Sequence, residues 1–263
     1  MLAPGLGGRL NHVGEPEEVL MAEHKFSNVG VPVALAFLLA ASQPTQVFSA
    51  TPVRHVEATG GGPVFQILPS PAVFRDQVPA SMGHHLMADP TPFGNRVARI
   101  SGTIHLEASD RGDVLLSAPP YTTDRADVEA EFTTPDGAKW KVVQTGVAAR
   151  LPDGSPKLFA GVGTEKVVHG DSGKENPLMP KMHAALTMWG FADVYKNGKL
   201  VKRGALLHVM VTSRARSPEN GQYRGYDVTT RPIEEIHLFL NPANKLPAPG
   251  GFLHVNWERS VVK

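Results

Sequence analysis

Four segments of this sequence place a histidine within a run of alternating aliphatic and polar residues. In the segment 207–212, for example, His208 and Met210 fall between Leu207, Val209 and Val211. Because successive side chains of a β-strand point to opposite faces, such a run predicts a strand with one aliphatic face and one histidine-bearing face. The four histidines in this position are His105, His208, His237 and His254.

Imidazoles on one face of neighbouring strands can reach a common point, since adjacent strands lie about 4.8 Å apart. Imidazole nitrogen is a ligand of zinc, copper and iron, and the methionine thioether also suits copper. We therefore predict a site for a divalent metal or copper, formed by His208, His237, His254, His105 and Met210. The alternative is that these histidines lie on the solvated face of an antiparallel sheet, where histidine is an ordinary resident.

Methionine and histidine also occur together outside the strands. Residues 82–87 read Met-Gly-His-His-Leu-Met, and residues 179–183 read Met-Pro-Lys-Met-His. The combination favours copper. Methionine is equally a normal gap-filler of hydrophobic cores.

The sequence contains no specific signature of an activated nucleophile. Gly170-Asp171-Ser172-Gly173 resembles the four residues around the nucleophile of chymotrypsin-like serine proteases. The resemblance ends there, because Lys174 stands where that family has another glycine. An Asp-Ser-Gly turn accounts for the same residues.

Composition limits the class of protein. The absence of cysteine excludes disulfides and thiolate metal sites, and 23 prolines favour short strands and turns over long helices. A hydrophobic content of 41% is enough for a folded core. A net charge of +1 gives no support for a nucleic-acid partner.

The N-terminal segment predicts export. Residues 31–41 form an uncharged apolar run, which is too short for a membrane span of about 20 residues but suits a signal-peptide core. Small or aliphatic residues before the site favour cleavage after Ser49. We interpret residues 1–20 as an extension that precedes the true start at Met21, and residues 21–49 as the signal peptide. The mature chain would be periplasmic or extracellular, with no stable transmembrane span.

The remaining chain is predicted to be all-β. Residues 50–95 are rich in glycine and proline and predict an extended arm with one short strand, Val64–Leu68. Residues 96–263 contain alternating runs and turn signals without a helical stripe, which predicts an antiparallel β-sandwich or barrel. Hairpins are expected over 127–145 and across Asn197-Gly198.

Taken as a sequence alone, the chain favours an exported, non-enzymatic β domain that binds a small ligand or metal ion. One alternative is an exported metal-dependent hydrolase or oxidoreductase that uses the same histidines with Glu107 or Glu235. A purely structural envelope protein is the other. Catalytic residues and oligomeric state are not predicted.

Overall fold

The computed structural model describes residues 54–71, 89–112, 122–148, 161–169 and 180–263. These residues belong to one compact unit, and they form nine β-strands and two short 3₁₀ turns without an α-helix. No helix within these ranges is long and apolar enough to cross a membrane. The strands are β1 (Arg54–Ile67), β2 (Val97–Asp110), β3 (Arg125–Thr133), β4 (Lys139–Val147), β5 (Val162–Val168), β6 (Met182–Lys196), β7 (Lys199–Ser213), β8 (Ile233–Leu240) and β9 (Leu253–Val262). The turns are Pro242–Asn244 and Pro249–Gly251.

Eight of the strands close into an antiparallel barrel. Their order is β1, β2, β3, β4, β6, β7, β8, β9, and β9 pairs back to β1. The extra strand, β5, pairs antiparallel with β6. The prediction of an all-β antiparallel fold is confirmed, and of the two architectures that the sequence left open the structure adopts the barrel.

One buried and one half-buried carboxylate hold β5 in place. One edge of β6 is shared, since residues 190–196 pair with β4 and residues 182–188 pair with β5. On the far edge of β5, Asp124 accepts a hydrogen bond from the Val162 N–H, and Asp110 accepts two from Thr164. These contacts satisfy strand-edge donors that would otherwise be a template for pairing with another chain.

The interior of the barrel is filled by one hydrophobic cluster. Its largest fully buried side chain, Trp257, packs edge-on against Phe132, with ring centroids 6.3 Å apart. Glycine makes room for these rings. A Cβ at Gly60 would lie 2.8 Å from that of Trp257, and one at Gly102 would lie 2.5 Å from that of Phe132. An eight-stranded barrel has an interior just wide enough for side chains, so any site is expected on its outer wall or at its ends.

Both predicted hairpins are present, as β3–β4 and β6–β7. Asn197 and Gly198 have φ values of 51° and 75°. A two-residue turn that matches the right-handed twist of its strands requires positive φ at both positions.

Several strands are longer than the sequence predicted. The expected strand Val64–Leu68 is the end of β1, which continues back through the three glycines to Arg54. The sequence of residues 183–189 is compatible with either a helical turn or a strand, and in the structure these residues belong to β6. Strand β5 was not predicted, because its glycine and charged residues hide the alternation.

Several predicted segments lie outside the described residues. They are the N-terminal extension and signal peptide, positions 50–53 and 72–88 of the arm, the residues 82–87 and the Ser172 turn.

Adding a methyl group at Gly60 tests the close approach to Trp257. We expect Gly60→Ala to lower the free energy of unfolding by about 1–3 kcal/mol, because the Cβ would lie 2.6 Å from Ile104 and 2.8 Å from Trp257. The matched control is Gly61→Ala, whose Cβ would meet only the Arg259 carbonyl at 4.0 Å. Urea unfolding of both variants measures the difference. Equal stability of the two would contradict the packing described for the barrel interior.

Candidate functional site

Strands β7, β8 and β9 carry three of the four predicted histidines on the outside of the barrel. Their aliphatic residues point inward into the core, so the intervening residues point outward. The antiparallel register arranges nine of these outward side chains in three rows across the strands. Because Ile236 pairs with Trp257, the next residues on the two strands, Glu235 and Glu258, lie beside each other. The rows are Thr212, Glu235 and Glu258; Met210, His237 and Asn256; and His208, Phe239 and His254. We call these nine residues the outer-wall cluster.

Two chain segments lie over this part of the wall, and we call them, residues 89–96 and 214–224, the cover. His254 Nδ1 lies 2.8 Å from the Pro92 carbonyl oxygen, and the Phe93 ring packs on Phe239 and His254 at centroid distances of 5.0 and 5.4 Å. The segments are joined to each other through Asn95, which bonds Gln222 and Tyr223. Most of the outer-wall cluster is therefore buried.

Glu235 is the centre of the buried region. Its Oε2 accepts hydrogen bonds from the backbone N–H groups of Ala215 and Arg216, both at 2.9 Å. Its Oε1 accepts one from Asn256 Nδ2 at 3.0 Å and lies 2.5 Å from His237 Nε2. Burial raises the pKa of Glu235, but the contact with His237 and the Arg216 hydrogen bond outweigh burial and bring the pKa down to about 2. Glu235 is thus an ionised carboxylate inside the protein.

Arg216 supplies the compensating positive charge and fastens the cover. Its side chain is fully buried. Nη1 donates to the Gly221 carbonyl at 2.8 Å and Nη2 to the Gly94 carbonyl at 3.3 Å, which links both segments of the cover. The guanidinium carbon lies 3.7 Å from the centroid of the Tyr223 ring, a cation–π geometry.

Glu258 has the opposite protonation state to Glu235. It is fully buried, and neither carboxyl oxygen has a hydrogen-bond partner among the described residues. Burial and the negative charge of Glu235 raise the pKa of Glu258 to about 9, against the lowering effect of Arg216. One ionised and one protonated carboxyl group therefore lie on adjacent strands at neutral pH.

His254 is a neutral imidazole at neutral pH. Burial, followed by the charges of His237 and Arg216, lowers its pKa well below the usual value. Its Nδ1 must carry the proton, because the Pro92 carbonyl can only accept a hydrogen bond. The His254 ring lies beside His237 with ring centroids 5.9 Å apart.

Of the five residues predicted to bind metal, the structure brings His237 and His254 together, and it places Met210 beside His237 as its cross-strand neighbour. His208 lies in the row of His254 but is separated from it by Phe239, and it stacks on Trp189 at a centroid distance of 4.2 Å. Met210 is buried in a small apolar group with Met182, Ala215 and Val228.

His105 is far from the other predicted residues. It is exposed on β2, where it pairs with Thr59 of β1. Thr59 in turn pairs with Val261 of β9, which is seven residues along β9 from His254. Glu107, the other predicted carboxylate partner, is on the same exposed face, 3.7 Å from His55. Over the ranges that the structure describes, no three His, Asp or Glu side chains are arranged to hold a metal ion.

Sequence reasoning missed Arg216 and Glu258. Glu258 follows Asn256 by two residues in an alternating run, so the periodicity that selected His254 also places Glu258 on the same face. Arg216 lies in an irregular loop, where no periodicity predicts what its side chain contacts. Comparisons with known proteins find no family model, no curated protein and no solved structure that matches this chain.

Replacing Glu258 by glutamine tests its protonation state. Its folded pKa is raised, so its contribution to stability is complete below about pH 4.5 and is lost as the pH rises towards 9. Glutamine mimics the neutral acid and does not ionise. We expect Glu258→Gln to gain stability relative to the wild type between pH 5 and pH 8, by on the order of 1 kcal/mol per pH unit in urea unfolding.

Glu235→Gln is the matched variant and should behave in the opposite way. The pKa of Glu235 is lowered, so its contribution is present above about pH 4.5 and is lost as the pH falls towards 2. Removing the charge leaves the donors of Ala215 and Arg216 with a weaker acceptor, and we expect a loss of about 2–4 kcal/mol at pH 7. A Glu258→Gln variant that loses equal stability at pH 5 and pH 8 would contradict the assignment.

Proposed function

We propose that this chain is an exported, non-enzymatic binding protein whose ligand occupies the outer-wall cluster beneath the cover. The observation that supports the proposal is a concentration of buried polar atoms without hydrogen-bond partners among the described residues. They are Thr212 Oγ1, Arg216 Nε, Asn256 Oδ1 and both carboxyl oxygens of Glu258. Buried polar groups are paired in the great majority of cases, so several unpaired ones on one patch of wall call for a ligand.

The chemistry of these atoms favours a small polar ligand. Arg216, Thr212 and the protonated Glu258 offer donors, while Asn256 and Glu258 offer acceptors. Arg216 and Glu235 balance each other, so a neutral or zwitterionic molecule would enter without adding an unpaired buried charge. A metal ion is the second class of ligand. After a local rearrangement, the side chains of His237, His254 and Glu235 would face it.

A purely structural role is the weaker explanation. Replacing a buried ionic group by well-packed apolar side chains is often neutral or stabilising, so a barrel that needed only stability has no use for this cluster. The barrel core already holds β7, β8 and β9 together through their inward faces.

Binding requires the cover to open, because Glu235 and Glu258 are fully buried and His254 is 3% exposed. The segment 89–96 contacts the wall through the Pro92 carbonyl and the Phe93 ring, and it contacts the other cover segment through Gly94 and Asn95. Opening this segment would have to break these contacts.

Protein purified from the cell envelope without an affinity tag provides the direct test of ligand binding. We expect native mass spectrometry to find a bound small molecule or elemental analysis to find a metal, with a ratio near one per chain. His254→Gln should lose the bound species, because it removes an imidazole that faces the cover. His105→Gln is the control, since that ring is exposed on β2 and lies outside the outer-wall cluster.

Two measurements keep the test decisive if His254→Gln fails to fold. Calorimetric titration of the wild type with Zn²⁺ and with Cu²⁺ probes the metal class directly. Loss of the native bound species on Phe93→Ala, with retained circular dichroism, probes the cover. A wild-type protein with no bound species and no heat of metal binding would refute the proposal.

Export makes a separate prediction. The protein recovered from the envelope should begin at Ala50 or Thr51, as N-terminal sequencing and intact mass would determine. A cytosolic product that retains residues 31–41 would overturn the export part of the proposal and leave the binding part standing.

A further inference from the structure

Strand β7 of the β6–β7 hairpin extends beyond its neighbour β8, whereas β6 is paired with β4 as far as Lys196. Strand β7 pairs with β8 only from Leu207 onward, so its first residues have β6 as their strand partner among the described elements. The side chain of Asn244 binds the backbone of Leu206, the residue just before this pairing begins. Its Nδ2 donates to the Leu206 carbonyl at 2.9 Å, and its Oδ1 accepts from the Leu206 N–H at 2.8 Å. We call residues 196–203, at the end of the hairpin, the basic tip.

The basic tip concentrates positive charge. Four of its eight residues are basic, and Lys245 is exposed on the adjacent 3₁₀ turn. The turn segment packs against the tip, because Lys196 Nζ donates to the Pro247 carbonyl at 3.0 Å. Asp193 lies 3.8 Å from Arg203. In the part of the chain that the structure describes, Lys199 and Lys202 form no ion pair. The basic residues of the tip are Lys196, Lys199, Lys202 and Arg203.

Two exposed aliphatic side chains lie between the basic residues of the tip. Leu200 is 40% exposed and Val201 is 36% exposed, and they are adjacent in the chain. They are two of only four large hydrophobic residues that are exposed within the described ranges. Their position between Lys199 and Lys202 places apolar surface and positive charge on the same end of the β6–β7 hairpin.

Protection of a strand edge explains part of this pattern. Lysines on an exposed edge discourage pairing with another chain, and β7 has such an edge before Leu207. That role does not require exposed leucine and valine, which make an edge more adhesive. The combination of basic and apolar residues therefore points to a partner that is both anionic and apolar beneath its surface.

We propose that the basic tip docks the protein on a bilayer surface that contains anionic phospholipid. The lysines and Arg203 would face the headgroups, and Leu200 and Val201 would enter the boundary between headgroups and acyl chains. A soluble polyanion such as a nucleic acid offers the charge but no apolar layer for these two side chains. The inference stands on charge and exposure at the tip and does not depend on a ligand in the outer-wall cluster.

Co-sedimentation with vesicles tests the proposal. The full chain should bind vesicles of phosphatidylglycerol and phosphatidylcholine more tightly than vesicles of phosphatidylcholine alone, and the difference should shrink as salt is raised from 0.1 to 0.5 M. Lys199→Glu/Lys202→Glu should weaken binding about 25-fold or more, since each basic residue near an anionic surface contributes about a factor of five. The apolar segment 31–41 is common to all variants, so the comparison isolates the tip.

Two further variants separate charge from apolar contact. Arg99→Glu/Lys166→Glu is the matched control, because it makes the same change in net charge at exposed positions of β2 and β5 and should bind as the wild type does. Leu200→Ser/Val201→Ser should weaken vesicle binding severalfold while leaving binding to heparin unchanged.

Three results would overturn the proposal. They are equal binding to both vesicle types, an equal loss in the Arg99/Lys166 control, and a serine variant that binds vesicles as tightly as the wild type. Salt dependence of the wild type decides the first point even if a variant fails to fold.

Discussion

The organisation of the outer wall depends on the hydrogen bonds that the buried carboxylate of Glu235 accepts. This carboxylate accepts two backbone N–H groups from the first residues of the cover and one amide from Asn256 of β9, so it joins cover and wall through a single side chain. A buried carboxylate is tolerable only when it is hydrogen-bonded and near a positive charge. Arg216, whose own N–H binds Glu235, supplies that charge and carries the connection on to Gly94. Loss of either group would strand the other in a low-dielectric environment.

Burial and these charges together determine the protonation states of the neighbouring groups. Burial and the negative charge of Glu235 raise the pKa of Glu258, and Glu258 keeps its proton. Burial, with the charges of His237 and Arg216, lowers the pKa of His254, and that ring remains neutral. An acid and a base near Glu235 are thus both kept in their neutral forms. These neutral groups are the ones that can exchange hydrogen bonds with an entering ligand at small electrostatic cost.

The sequence predicted which side chains share a face of each strand, but it did not predict the register between neighbouring strands. Alternation correctly separated the inward residues of β7, β8 and β9 from His208, His237 and His254. A relative shift of two residues preserves that alternation, so nothing in the pattern could place His237 one row away from the other two histidines. The cover was equally inaccessible to sequence reasoning. It comes from a proline-rich segment and a loop that meet through the buried side chain of Arg216, across a sequence separation of 122 residues. The glycines of β1 were interpreted as part of a loop-rich arm for a similar reason, since the need for Gly60 arises only when Trp257 packs against it.

The two proposed surfaces lie at opposite ends of β7. The strand begins in the basic tip and ends at Ser213, where the chain enters the cover. At a rise of about 3.3 Å per residue, Thr212 is on the order of 40 Å along the strand from Lys199. Residues so far apart without shared partners contribute independently to stability and binding. A protein docked through the tip would also leave the cover, at the other end of the strand, free to open towards the surrounding solution. The barrel would then serve as a rigid spacer between an attachment surface and a closed binding site.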